Sequence, residues 1–159
     1  MTAIDDVRKE FDTARADLLD ALDGVTQEEF DRVPPPVANA SGEDEAQWSM
    51  VEVLWHVGHT EDRLRRTIDQ AIDGRTLTED APRTRPAHLV TPELLIAWID
   101  QARRPTDALL RRMTDDHLDL EFVRPNGSTR TPRWVLQILT NHDREHAQQV
   151  RALRALPAE

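Results

Sequence analysis

Apolar residues recur every three or four positions in four stretches of the chain, and each stretch carries the start and stop signals of a helix. Ile4, Val7, Phe11, Ala14, Leu18 and Leu22 lie between charged residues, which predicts an amphipathic helix over 3–23, ended by Gly24. Thr26 and Glu29 have capping-box spacing, so "TQEEF" (26–30) adds a short helical turn, while "PPPVANASGEDE" (34–45) reads as an exposed loop. A second long helix starts at Ser49, with Glu52 three residues on and Trp48 placed to pack on Val53. Its stripe is Met50, Leu54, Val57, Leu64 and Ile68, and Gly74 ends it. After a Pro-containing linker (75–90), Thr91-Pro92 opens a third helix with Leu95, Trp98, Ile99, Ala102, Leu109 and Met113 on its face. Pro105 is expected to kink it. "DLEFVRPNGSTRTP" (119–132) holds a Pro-Asn-Gly turn and suggests a small hairpin. Thr131-Pro132 then repeats the cap-plus-proline start for a fourth helix that runs to about Leu156.

Four amphipathic helices and no convincing sheet predict an all-α fold, a four-helix bundle forming a single domain over 1–159. The linker between the second and third helices can reach ~50 Å at ~3.3 Å per residue. A 26-residue helix is only ~39 Å long. These two helices can therefore run parallel, joined by a crossover.

Composition narrows the function. The formal net charge is −10, which speaks against a nucleic-acid backbone or an anionic membrane as partner. No stretch approaches the ~18 apolar residues of a membrane span. "MTAIDDVRKE" at the N-terminus lacks the pattern of a signal peptide. The chain contains no cysteine, hence no disulfide framework, no thiolate zinc site and no thiol nucleophile of its own. A cytoplasmic location and a small-molecule substrate are expected, with neither nucleic acid nor membrane among the partners; a homodimer stays open.

The candidate chemistry lies in "NHDREHAQQV" (141–150). His142 and His146 stack one turn apart on a face shared with Val135, Ile138, Leu139, Val150 and Leu153. Each ring brings a second nitrogen that needs a partner, and leaving one unpaired costs ~1–3 kcal/mol. A divalent ion meets that need, because i, i+4 spacing points two neutral imidazoles at one place. "HDREH" has the spacing of the zinc-protease HExxH helix, but Asp143 is one methylene shorter than the glutamate and Ala152 stands where a third histidine belongs. None of the six histidines has a glutamate three residues before it, which counts against a di-iron site. The third ligand of a mononuclear site must come from upstream. His88 and His117 lie in polar segments and are expected to be exposed, and His59 points ~180° from the stripe centre of the second helix, toward solvent. His56 at the stripe edge is the expected third ligand, with Glu61 the runner-up. Glu61 serves equally well as a buried carboxylate paired to an arginine.

"WSMVEVLWHVGHTE" (48–61), followed late by "HDREHAQQV" (142–150), resembles the DinB/YfiT-like superfamily of metal-dependent enzymes. The shared pattern is a Trp-Ser helix start, a histidine seven to eight residues later, a carboxylate, and His-x-x-x-His on the last helix. The resemblance implies a DinB-like bundle with a crossover between helices 2 and 3. It also implies one metal ion, zinc or nickel, on the residues matching His56, His142 and His146, with Gln149 supporting them. Relatives of that kind include thiol-dependent S-transferases and a mycothiol-dependent maleylpyruvate isomerase. The isomerase has a glutamate among its late-helix ligands where this chain has histidines. The leading expectation is therefore a metal-dependent transferase using a low-molecular-weight thiol. A hydrolase on the same site and a non-catalytic metal- or ligand-binding bundle are the alternatives.

Overall fold

The computed structural model describes residues 2–38, 44–78 and 83–157; parts of the 34–45 loop and of the 75–90 linker fall outside them. Four long helices, α1 (Ala3–Leu22), α3 (Met50–Ile72), α4 (Pro92–Arg112) and α6 (Pro132–Arg154), make a bundle. Two short ones, α2 (Gln27–Asp31) and α5 (Asp115–Leu118), lie between them. A 3-10 turn (Glu45–Gln47) precedes α3, and a two-stranded hairpin, β1 (Phe122–Val123) with β2 (Thr129–Arg130), precedes α6. Among the described residues no helix is long and apolar enough to cross a membrane.

The helix starts form where the capping signals place them. Thr91 and Thr131 accept bonds from Leu94 and Trp134 and put proline in the first turn. Ser49 donates from its N–H to Glu52 Oε2 at 3.1 Å, and its hydroxyl donates to the same oxygen. α4 continues through Pro105 as one helix. The 3-10 turn and α5 have no counterpart in the periodicity, because pieces of three or four residues are too short to show one. Within α5, His117 is half-buried rather than exposed, and its Nδ1 accepts the Thr114 N–H at 3.0 Å.

Helices α3 and α4 run parallel, since their contacts ascend together. Trp98 Nε1 donates to Trp55 O at 3.2 Å, Arg103 meets Glu61, and Arg112 meets Asp69. The crossover is therefore real. α1 and α6 also ascend together, from Arg15–Asp143 to Arg154 with Ala21 O. α3 opposes α6, which sets Glu45 near Gln149 and His56 near His142.

The core has two apolar clusters. One gathers Leu18, Phe30, Leu54, Ile99 and Val150; the other gathers Phe11, Ile68, Leu109, Leu118 and Leu136. On every long helix a charged residue falls between them: Arg15, Glu61, Arg103 and Asp143, each 7% exposed or less. These four form a closed ionic layer. Arg15 donates to Asp143 Oδ2 at 2.9 Å and to Glu61 Oε2 at 2.6 Å, and Arg103 donates to Glu61 Oε1 at 2.9 Å and Asp143 Oδ2 at 2.8 Å. Two cations and two anions leave no net charge, and the Arg103 guanidinium also lies 3.6 Å over the Phe11 ring. Glu61, the runner-up ligand, is thus committed to two arginines.

Close packing of α3 on α4 depends on Gly58. A Cβ there would lie 2.2 Å from Trp98 Nε1. Gly58→Ala is expected to displace the Trp98 ring and destabilise the fold by about 1–3 kcal/mol, although alanine is the better helix former. Urea unfolding monitored by tryptophan fluorescence measures it; a more stable variant would refute this packing account.

Candidate metal centre

Three imidazoles meet in the groove between α3 and α6. His142 Nε2 lies 2.8 Å from His56 Nε2 and 3.0 Å from His146 Nε2. These ligand atoms all lie within 4.8 Å of one another, and they are the metal-capable group found among the described residues. The structure brings together the three residues that the sequence singled out. It places the others elsewhere: His88 is exposed, His117 caps α5, and Glu61 belongs to the ionic layer. His59 departs from expectation. It is half-buried rather than turned to solvent, with its ring stacked on Trp55 at 5.7 Å and 3°. The helical phase is right to exclude it from the triad. Its outward face is covered because Trp55 and Trp98 (4.8 Å apart) extend over that side of α3.

The α6 stripe is also centred differently from the periodicity. Asp143, Ala147 and Val150 are buried at its middle, whereas Ile138 and His142 are half-buried at its edge. That edge position leaves His142 reachable from the groove while burying Asp143 in the ionic layer.

Orientation of the rings comes from Gln149. Its Nε2 donates to Glu45 O at 2.6 Å, which leaves Oε1 to accept from His146 Nδ1 at 2.8 Å. The Nδ1 proton frees Nε2 of His146 as a lone pair aimed at the other two rings. Burial, followed by the charges of His146, His59 and Arg63, pushes His56 down to about 4. Burial, then His146, His56, Arg15 and Arg63, pushes His142 down to about 3. Both rings are neutral at pH 7, the form that ligates metal.

Three imidazole nitrogen donors suit zinc or nickel better than magnesium or calcium, which prefer oxygen. Four-coordinate zinc with Zn–N of ~2.0–2.1 Å sets neighbouring nitrogens ~3.3 Å apart. The two His142 pairs need to open by a few tenths of an ångström, and His56 and His146, in a set spanning up to 4.8 Å, need to draw closer, side-chain movements that let these residues hold a metal ion.

The depressed histidines give the metal-free protein a definite acid response. Unfolded histidine binds its proton near pH 6.5, while folded His56 and His142 resist it down to about 4 and about 3. Between those limits the unfolded chain binds more protons, so stability present above about pH 6.5 is lost as pH falls. Melting temperatures of metal-free protein from pH 7.5 to 4.5 should decline, and replacing His142 by alanine should flatten the decline. An unchanged slope would show that these rings are not held neutral.

Missed from the sequence were Arg15, Arg103, Asp143 and Glu45. A signal for the arginines existed, since each sits in the middle of an apolar stripe. Glu45 gave none, because it lies in a segment without periodicity. Its Oε1 is 3.5 Å from His56 Nε2.

The DinB superfamily model matches residues 10–150. No curated protein sequence matches the chain. Solved structures share the fold, among them two that align over nearly the whole chain. The colibactin self-resistance protein ClbS, crystallised in complex with a dsDNA, has a TM-score of 0.73 at 14% identity, over 99% of this chain and 99% of its own. A conserved protein from Enterococcus faecalis has a TM-score of 0.66 at 15% identity, over 97% of this chain and 96% of its own. The ClbS complex overturns the exclusion of nucleic acid drawn from net charge. A sum over the chain does not describe a local surface: Arg63, Arg124 and Arg130 have no carboxylate partner among the described residues, and Arg63 and Arg124 line one cleft with Thr67 and Asn126.

Proposed function

The chain belongs to the DinB superfamily, and from that premise we propose a metal-dependent enzyme, folded as a single domain, that joins a low-molecular-weight thiol to a small electrophile. The observation that carries this reading is the convergence of three Nε2 atoms, with Gln149 fixing the tautomer of one of them. In this reading His56, His142 and His146 hold one zinc or nickel ion and leave one position of a four-coordinate site for an exogenous group, the pattern of a catalytic site. A metal bound there would lower the pKa of a thiol or water at that position and hold it as a nucleophile. The thiol must be external, because the chain has no cysteine. The protein's own contribution is to keep His56 and His142 neutral and to orient His146 through Gln149. Hydrolysis by bound hydroxide uses the same residues, as does a non-catalytic bundle that only sequesters metal.

Metal analysis of untagged protein followed by turnover assays with several thiols tests the reading. His56→Ala should lower metal content at least tenfold, while His59→Ala should leave it at wild-type level. Equal behaviour of the two variants would remove the triad assignment. Turnover that needs water but no thiol would move the assignment to the hydrolase.

A second reading rests on ClbS and its dsDNA together with the arginines around the cleft at the α3 and hairpin ends. Here the ligand of the fold is duplex DNA, held through phosphates by Arg63, Arg124 and Arg130. Fluorescence anisotropy of a labelled duplex at 50 mM salt decides it. Binding that weakens with salt and with Arg63→Ala supports this reading, and no binding at that salt removes it.

A further inference from the structure

The 3-10 turn Glu45–Gln47 lies directly against the triad. The Trp48 ring that follows it packs on His56 with centroids 4.9 Å apart. Glu45 O accepts from Gln149, the residue that orients His146. The Glu45 carboxylate itself reaches 3.5 Å from His56 Nε2. Among the described residues no other carboxylate comes within ion-pair distance of a triad nitrogen. Glu45 also has no arginine partner there, in a chain where most carboxylates near the core have one. Its side chain is 56% exposed, so it can turn outward without opening the core.

The separation is informative. Two ligands ~2.0–2.2 Å from one tetrahedral zinc stand ~3.4 Å apart, close to the spacing of Glu45 Oε1 and His56 Nε2. We propose that Glu45 is a fourth protein ligand, which closes the remaining metal position in the resting protein and yields it to an incoming exogenous ligand. This rests on the reading of the triad as a metal site. The turn then works as a displaceable cover: its main chain is tied to α6 through Gln149, and only the carboxylate moves. The idea also reconciles the two classes of function, because a site closed by four protein groups resembles a structural one until its exposed ligand leaves.

The test uses the full chain with cobalt(II) in place of zinc, comparing wild type, Glu45→Ala, Glu45→Gln and His56→Ala, with azide as exogenous ligand. Wild type should bind one cobalt and show visible absorption of a four-coordinate ion. Both Glu45 variants should still bind one cobalt, with a shifted spectrum and affinity about tenfold or more weaker. Azide should bind the Glu45 variants at least several-fold more tightly, because it no longer competes with the carboxylate. Spectra and azide affinity that match wild type in both variants, with one cobalt bound throughout, would overturn the proposal and leave the triad reading intact. A wild type that binds no cobalt, like His56→Ala, would instead remove the metal reading and the proposal with it.

Discussion

Asp143→Ala is expected to destabilise the metal-free protein by about 3–5 kcal/mol, the cost of removing one partner from a buried ionic group. Asp143 is 2% exposed and accepts from both Arg15 and Arg103. Without it, two guanidiniums face Glu61 alone, and one positive charge stays in the core without compensation. Solvent compensates it poorly, since Arg15 and Arg103 are each only 7% exposed. For a chain of this size the melting temperature should fall by about 10 °C or more. Asp100→Ala is the control: it breaks an Arg104 pair whose side chains are 73% and 59% exposed, and such pairs contribute only about 0–1 kcal/mol. Calorimetry of both variants without metal measures the contrast. A loss below about 1 kcal/mol for Asp143→Ala would mean that the layer does not hold the charges as described.

His142→Ala should have the opposite profile, with metal binding and any turnover abolished and the metal-free fold retained. His142 is half-buried at the edge of α6, outside both apolar clusters. Its ring makes hydrogen-bond contacts with His56 and His146. The melt of wild type should rise with zinc by RT ln(1 + [L]/Kd), about 4 kcal/mol at a thousandfold excess over Kd. The variant should melt near metal-free wild type and show no rise. A zinc response of undiminished size would dismiss His142 as a ligand. A variant that no longer folds would show that the triad is structural, since the histidines would then be supporting the bundle directly.

The two predictions separate what local sequence determines from what assembly determines. Helix existence was legible because periodic apolar residues and Thr-Pro or Ser-x-x-Glu starts act within one or two turns. The starts of α3, α4 and α6 fall where those signals lie. The pairing of His142 with His146 was legible for the same reason, being one helical turn on one strand of chain. His56 required only a phase relative to its own stripe, and the DinB-like pattern pointed the same way. Depth was not legible. Whether Asp143 or His142 faces the core depends on which helices flank α6, and a shift of about one residue in the stripe exchanged their roles. The ionic layer needed four residues from four helices, and of these only Glu61 was read from the sequence as a buried carboxylate paired to an arginine. Only the parallel pairs α1–α6 and α3–α4 bring them level. Glu45 reached the triad because α3 opposes α6, which sets the turn before one helix beside the late turns of the other. The net charge, correctly counted, could not exclude nucleic acid for a related reason: a sum over the chain carries no information about where arginines without a carboxylate partner gather. The sequence by itself determined the helices, their caps and the histidines that can meet. The tertiary structure decided which charges are buried and which carboxylate stands at the triad, because burial and long-range contact depend on neighbours that no local pattern names.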